Sequence, residues 1–451
     1  MKHRYFHIHR SFFGLFLFCL SGFLCSFSGC ERHQSAPKAN TVAPEKKLPY
    51  PLLFVTQVPI ANDNNSRLSA FANHMTSPLQ VPRGGDLMIL YPDGTLRNLT
   101  HEAHLGMDGQ QTASAIAVRE PSVHPSGEKA VFSLLLGSPQ TGENLSTSRW
   151  QIYEVSGLAQ GAPVQISKLA QDPHYNNLSP LYASNDEIIF TSDRPRNGAP
   201  HLYPQLDEYE ATPSVSGVWK MHRTTNKLTL LSHTPSGAFT PIIDNFGRLL
   251  YTRWDHLQQD QLADRDRDAE HNQVALPFNS FNFSDESATA KRRNSRAEFF
   301  PESRVGSHSV YGEVSAFRNN FFAIWQINQD GSAEETLNHV GLHELSFGYL
   351  TPSFKEDKNL NNHTNDQAHQ NRLSIRREGG LFQLREDPLE SGSFFAINAR
   401  ESGSFTTDSI VKIQARPSTN PEQMTVTSIT APSTNDNLKD GRWRNPLPLS
   451  D

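Results

Sequence analysis

The residues in this chain best suited to chemistry are histidines set beside acids. Asp255-His256 closes one aromatic-rich stretch, and Asn338-His339-Val340-Gly341-Leu342-His343-Glu344 carries two more imidazoles four residues apart. Neutral imidazole and carboxylate are what zinc, copper or iron takes from a protein, so His256, His339 and His343 are candidate ligands for a divalent metal. His339 and His343 would share one face of a helix, but Gly341 between them disfavours a helix, and spacing names no third ligand. Satisfying buried backbone groups, or lining a central mouth, is the stronger competing role for these side chains.

Two further clusters carry several charges each. Asp264, Asp266 and Asp268 alternate with Arg265 and Arg267 in the way that opens a calcium loop, where hard oxygens must converge on the ion. Ala269 stands where that loop needs its turn glycine and Ala275 where it needs a bidentate acid, which favours a solvated charged loop. The run Ser192-Asp193-Arg194-Pro195-Arg196-Asn197-Gly198, followed by HLYPQLDEYE, gathers guanidinium groups, acids and tyrosines. Asp193, Arg194, Arg196, His201 and Tyr203, with Asp255, form a candidate ligand-binding loop, since arginine forks and exposed aromatics suit carboxylates, sugars or peptides. An ordinary loop between strands, pinned by pairs such as Asp193 with Arg194, is the equal alternative. Lys291-Arg292-Arg293 reads as a solvated loop.

No catalytic residue is assigned. The sequence holds no GxSxG elbow, no phosphate-cradling GxxxxGK[ST] and no HExxH. A non-enzymatic role is the first expectation, although a site gathered from several strands would leave no contiguous signature.

What must position these residues is a chain of 451 residues, 36% hydrophobic and 10% aromatic, enough to build a substantial core. A formal net charge of −6 offers no broad basic field, so no nucleic-acid partner is expected. The N-terminus stands apart. Lys2, Arg4 and Arg10 precede an uncharged run from Ser11 to Phe27, the order of an export signal. It ends in Phe27-Ser28-Gly29-Cys30, which resembles a bacterial lipobox with Cys30 as the lipidated residue. Phe27 departs from the usual leucine, and an uncleaved anchor helix is the alternative. Both readings tether the body outside the cytoplasm, in the cell envelope, as a periplasmic or outer-membrane-associated lipoprotein.

Cys19, Cys25 and Cys30 are the three cysteines, and all lie in residues 1–30. The body after them has no disulfide, no thiolate metal site and no CxxCH for covalent haem. Residues 31–48 are polar, with Pro, Ala and Lys, and read as a flexible linker.

From residue 49 to 451 the main signal is a repeat. PSVHPSGEKAVFS from Pro121, PLYASNDEIIFTSDR from Pro180 and PIIDNFGRLLYTRWD from Pro241 share one grammar, spaced by 180 − 121 = 59 and 241 − 180 = 61 residues. Each is a Pro-led strand, a turn at Ser126-Gly127, Asn185-Asp186 or Phe246-Gly247, and an apolar strand, which makes a hairpin. A second hairpin alternates with the first, led by strands at Asp86–Leu90, Trp150–Val155, Val218–Met221 and Ile324–Ile327. Two hairpins make one four-stranded sheet. Such a sheet cannot hide both faces alone, so copies stack radially, and an all-β propeller of four-stranded blades is the expected fold. A β-sandwich is the alternative, but sandwich strands do not recur as near-copies at a long fixed period.

The regularity is interrupted at 257–320 and 355–377, which read as loops inserted on one face of the disc. GGLFQLRED, GSFFAINARESGSF and DSIVKIQA supply further strands. The tail GRWRNPLPLSD opens like another Pro-led strand and stops before a turn, so the expected propeller is incomplete at its C-terminus, either truncated or followed by a further domain.

Units such as LMILYPDGTLRNLT, alternating with the Pro-led segments, resemble the TolB-type (WD-like) propeller repeat. PLLFVTQVPI, IIFTSDRPRNGAPHLYPQLDEYE, GRLLYTRWDH and ETLNHVGLHEL resemble exported propellers related to the middle domain of the hydrazine synthase alpha subunit. The resemblance covers nearly all the chain from Pro51 onward. It implies the propeller fold and, in that family, nitrogen redox chemistry on c-type haem. The missing CxxCH departs from the family at that point, so the fold is carried over and no catalytic residue is. The expected function is a lipid-anchored, non-catalytic scaffold that binds a protein partner or small ligand on one propeller face and the membrane through its anchor. The alternative is a metal-dependent enzyme, or an accessory subunit of a multi-haem redox complex, with its site at the propeller mouth.

Overall fold

Pairing in chain order organises the strands. The computed structural model describes residues 48–56, 83–106, 115–137, 149–194, 217–233, 237–256, 320–337, 379–400, 408–419, 424–431 and 443–449, with backbone alone at 233, 254–256, 320, 321, 379 and 400. All belong to the unit Lys47–Asp451. The first sheet holds β1 (Leu52–Val55), β2 (Leu87–Leu90) and β3 (Leu96–Asn98), followed by the single turn α1 (Leu99–Glu102). The second holds β4 (Ile116–Val123), β5 (Lys129–Leu136), β6 (Gln151–Ser156) and β7 (Gln165–Lys168). The third holds β8 (Asn177–Tyr182), β9 (Ile188–Ser192), β10 (Gly217–Met221) and β11 (Leu228–His233). β12 (Gly237–Ile243), β13 (Arg248–His256), β14 (Asn320–Asn328) and β15 (Glu335–Thr336) make the fourth sheet. β16 (Gly379–Glu386), β17 (Ser393–Arg400), β18 (Ser409–Gln414) and β19 (Thr425–Ser428) make the fifth.

The hairpins form where turn chemistry permits. Gly127 and Gly247 take φ of 75° and 81°, and Asp186 takes 66°, a conformation that glycine adopts freely and aspartate tolerates. At the last of these turns the Asp244 carboxylate accepts from the backbone N–H of Phe246 at 3.0 Å and of Arg248 at 2.8 Å, so the reversal is fixed from inside. Burial follows position in the sheet. β8 and β9 are buried at every residue, while β2 and β18 alternate buried with half-buried residues. Inner strands are covered on both faces and therefore read as continuous apolar runs, whereas outer strands keep a period of two.

The apolar clusters show how the sheets are arranged. Leu87, Ile89 and Leu99 pack with Ile116, Phe132 and Val155, joining sheets one and two. Val131 and Ile152 pack with Tyr182, Phe190 and Trp219, joining two and three. Leu181 and Val218 meet Leu249, Tyr251 and Ile327, and Leu250 and Ile324 meet Phe394, Val411 and Ile413, carrying the series to sheet five. A fifth cluster draws Trp150, Leu178, Phe239, Phe322 and Phe382 from sheets two to five together, with Phe322 and Phe382 rings 4.8 Å apart. Four sheets can contribute to one cluster only if they face a common axis. The two-layer sandwich is thereby excluded.

Polar clamps join neighbours outside the apolar layers. Arg223 grips both Glu154 oxygens at 2.7 and 2.9 Å, and the Tyr182 hydroxyl donates to Glu154 at 2.8 Å. Between sheets three and four, Tyr251 and Ser232 both donate to Glu334. Links between first and second, or third and fourth, strands span ten residues or fewer. The long stretches 257–319 and 337–378 leave from the ends of a second and a fourth strand, which lie at the same end of the antiparallel sheet.

Candidate functional site

Each inner strand breaks its ladder at the same place. Register shifts fall between Arg119 and Ser122 in β4, Leu178 and Leu181 in β8, Phe239 and Ile242 in β12, and Phe382 and Arg385 in β16. Within the four bulges, Glu120, Ser179, Thr240 and Gln383 take φ of 54°, 51°, 48° and 55°. Each left-handed non-glycine residue costs on the order of 1–2 kcal/mol. A cost repeated four times at one level of the axis marks a built feature.

The tail supplies the fifth member. Trp443 donates its N–H to the carbonyl of Asp408, just before β18, as Asn177 donates to the carbonyl of Trp150, just before β6. Two residues later Asn445 takes φ of 48°, as Ser179 takes 51°, and a proline follows in both. The Asn445 N–H also donates to the side chain of Gln383 in the neighbouring bulge. β1 packs against β4 as β5 packs against β8, so β1, β2 and β3 correspond to the second, third and fourth strands of the other sheets. Residues 443–449 thus lie between sheets five and two, touching Asp408 and Gln383 on one side and feeling Arg119 and Glu120 on the other, and we assign them to the first blade by this correspondence. The sequence reads this tail as a Pro-led strand, and Trp443 and Asn445 do stand as Asn177 and Ser179 stand in blade three.

The chain is a five-bladed β-propeller. No family model matches its sequence, and no curated protein matches it either. Among solved structures it is similar to hydrazine synthase from Kuenenia stuttgartiensis, at 11% identity, with 89% of this chain and 41% of that chain covered and a TM-score of 0.47. It is also similar to TolB from Acinetobacter baumannii, at 15% identity over 38% of this chain and 32% of that one, with a TM-score of 0.23. An acylaminoacyl peptidase from Pyrococcus horikoshii is similar at 6% identity, over 70% and 32% of the two chains, with a TM-score of 0.27. The propeller chain spans less than half the length of each of these three.

The residue before each bulge divides the axis in two. Leu178, Phe239 and Phe382 are apolar and enter the central cluster, whereas the corresponding positions of the first two blades are Arg444 and Arg119. The Arg119 guanidinium lies 5.4 Å from the Trp150 ring and donates to one Glu120 oxygen at 2.8 Å. Ser179 donates to the other oxygen at 2.5 Å. Burial lowers the pKa of Arg444 to about 9, the nearby charge of Arg119 pushes it the same way, and Glu120 opposes both. Burial also lowers the pKa of Arg385, again with Glu120 opposing. Arg119 and Ser179 thus hold the Glu120 carboxylate, whose charge is felt by Arg385 and Arg444. Guanidinium groups can bind and orient an anion through paired hydrogen bonds.

The residues singled out from sequence fall differently. Asp193 and Arg194 are described: Asp193 serves the junction of blades two and three through Asn176, and Arg194 is held within blade three. Asn176 donates to the two Asp193 oxygens at 2.8 and 2.7 Å, while its own side-chain oxygen receives the Trp150 N–H at 3.0 Å. Burial raises the pKa of Asp193 despite those bonds. Arg194, only 4% exposed, donates to Ser192 at 3.0 Å and to Asn177, and its guanidinium lies 5.2 Å from the Phe190 ring and 5.5 Å from Trp219. Asp255 and His256 end β13, paired with Phe321 and Asn320, with backbone alone described. Cys30, Arg196, His201, Tyr203, Asp264, Asp266, Asp268, His339 and His343 lie outside the described residues, as do the expected loops except Asn320. Among the described residues no three His, Cys, Asp or Glu side chains gather as a metal centre, and no helix is long and apolar enough to cross a membrane.

Sequence reasoning missed the axial residues. Their signal was available in the repeat: Arg119-Glu120-Pro121, Leu178-Ser179-Pro180, Phe239-Thr240-Pro241 and Arg444-Asn445-Pro446 align on the proline, with a polar residue before it every time.

Proposed function

We propose that this chain is an exported, lipid-anchored β-propeller that acts as a non-catalytic scaffold, binding a small ligand or a partner protein at the polar centre of its disc. The observation that carries this reading is the ring of Glu120, Ser179, Thr240, Gln383 and Asn445, one left-handed polar residue from each blade. Strain repeated at one level around an axis is what a binding centre needs to hold polar side chains in place. Cys30 would carry the lipid, residues 31–48 would give the disc reach from the membrane, and the site would lie in the cell envelope.

The anchor is tested by metabolic labelling with palmitate, which should mark the protein and be lost in Cys30→Ala. The scaffold is tested by purifying the tethered protein from envelopes: a 1:1 ligand or partner should be present and should be lost on Glu120→Ala. A stoichiometric transition metal that disappears on changing His339 and His343 to alanine would instead make the protein a metal-dependent enzyme. A co-purifying cytochrome would make it an accessory subunit of a multi-haem complex.

A further inference from the structure

We propose that the end of the disc carrying the tight turns lies on the surface of the lipid bilayer, with Tyr50, Leu96, Phe246 and Leu389 as its apolar contacts. The inference goes beyond the binding centre and rests on the lipid anchor of the reading above.

Strand direction places these residues at one end of the disc. β1 takes the place of a second strand, and second strands start where the first-to-second turns lie, so Tyr50 and Pro51 enter β1 at that end. Leu52, Leu90 and Leu96 form one row across β1, β2 and β3, which sets Leu96 at the same end. Phe246 and Leu389 sit in the β12–β13 and β16–β17 turns. These two turns touch: the Asn245 N–H donates to Glu386 at 2.7 Å, its side chain donates to Ser391 at 3.0 Å, and a Cβ on Gly392 would meet the Phe246 ring at 3.2 Å. The long stretches 257–319 and 337–378 leave from the opposite end.

All four side chains face solvent: Leu389 is 70% exposed, Tyr50 68%, Leu96 54% and Phe246 47%. Single exposed apolar residues are ordinary on any surface, but four at one end of a sheet fold, two of them on touching turns, mark a contact surface. The turns hold them out, since Asp387 accepts the Leu389 N–H at 3.0 Å and Asp244 that of Phe246 at 3.0 Å. Tyrosine, phenylalanine and leucine suit the boundary between headgroups and acyl chains. Cations beside them are matched within the protein, Lys412 to Asp387 at 2.7 Å and Glu390 at 3.0 Å, Arg248 to Asp244 at 2.8 Å, so apolar burial carries the contact rather than attraction to anionic headgroups.

Where the chain enters says what covers this surface. Residues 31–48 lead from Cys30 to Tyr50, and a flexible linker of that length spans roughly 20–25 Å, so the end bearing Tyr50 is the one kept nearest the lipid. A short tether holds its cargo at an effective concentration of about a millimolar, which lets a few side chains suffice.

The test uses the full lipidated chain in phosphatidylcholine vesicles doped with a lipid that carries a nitroxide on its headgroup. The body after Cys30 has no cysteine, so Leu389→Cys gives one thiol for a fluorophore, and Ile429→Cys, exposed after the fourth strand of blade five at the opposite end, gives the control. The nitroxide should quench the Leu389→Cys label several-fold more strongly than the Ile429→Cys label. Adding Tyr50→Ser and Phe246→Ser should remove that preference while thermal unfolding stays unchanged. Equal quenching at the two ends with the lipid attached overturns the docking and leaves the anchor standing, whereas failure of palmitate labelling removes both. A preference that needs phosphatidylglycerol, or vanishes in about 1 M salt, assigns the contact to charge and overturns the proposal. So does shielding of the Leu389→Cys label that needs no vesicles and grows with protein concentration, which would give the surface to a second copy.

Discussion

Two halves of one axis are built on the same backbone and finished with opposite chemistry. In blades three to five, the residue before the bulge is Leu178, Phe239 or Phe382, and the half is dry, with Phe322 wedged between Phe239 and Phe382 rings at 6.4 and 4.8 Å. In blades one and two the same position is Arg444 or Arg119, and the half is charged. The bulges and the left-handed residues are common to both, so they shape the centre of the disc whatever lines it. The side chains then distinguish the halves: the dry half packs the blades together, and the charged half carries Arg119 and Arg444 where the other carries apolar side chains.

Breaking the dry half should have the largest effect. Phe382→Ala should destabilise the protein by about 3–5 kcal/mol in denaturant unfolding, since a fully buried ring shared by two blades leaves a cavity; a loss below about 1 kcal/mol would mean the cluster is not structural. Next comes Gly380→Ala. A Cβ there would stand 2.4 Å from Phe322 Cβ, so the wedge must shift, and a loss of about 1–3 kcal/mol is expected by the same measurement.

The charged half should respond in the opposite direction. Arg444→Met should raise stability by about 1 kcal/mol in denaturant unfolding, because burial disfavours the cation. Its folded pKa, about 9, lies below the unfolded value, so the folded chain releases a proton more readily than the unfolded one. The cost of carrying the charge is complete below about pH 9 and eases above it. Thermal melts should therefore show the advantage of Arg444→Met shrinking as pH rises from 9 towards 11. An advantage independent of pH would break the comparison between halves.

The smallest effect is expected at the outer clamp. Burial works against ionisation of Glu154, but hydrogen bonds from Arg223 and Tyr182 outweigh it and hold its pKa below the ordinary carboxylate value. A depressed carboxylate pKa stabilises above the unfolded pKa and is lost as pH falls through the folded one. Glu154→Gln should thus cost up to about 1 kcal/mol at neutral pH, and the gap to the unsubstituted protein should close below about pH 4, the carboxylate range.

Much of this was legible beforehand, and unevenly so. The Pro-led segments at 121, 180 and 241 form β4–β5, β8–β9 and β12–β13, because turn residues and apolar runs act locally and repeat. The alternating segments at 150 and 218 form β6 and β10 for the same reason. The site was harder to read. Asp193 and Arg194 attracted notice as charged residues in a loop-like run; in the fold Asp193 holds Asn176, which reaches the Trp150 N–H of the neighbouring blade, and Arg194 is buried within blade three against Asn177 and the Phe190 and Trp219 rings. Arg119, Arg385 and Arg444 lie 266 and 59 residues apart, counting 385 − 119 and 444 − 385, and no local pattern links them.

By itself, the sequence determined the units: strand, turn and strand, repeated, with hidden faces that oblige copies to stack. It did so because hydrophobic period and turn geometry are properties of neighbouring residues. Only the tertiary structure decided that the tail near Trp443 would meet Asp408 and Gln383 and that Ser179 of one blade would bind Glu120 of another. Packing of successive blades brings residues distant in the chain together, and proximity of that kind is written in no short stretch of residues.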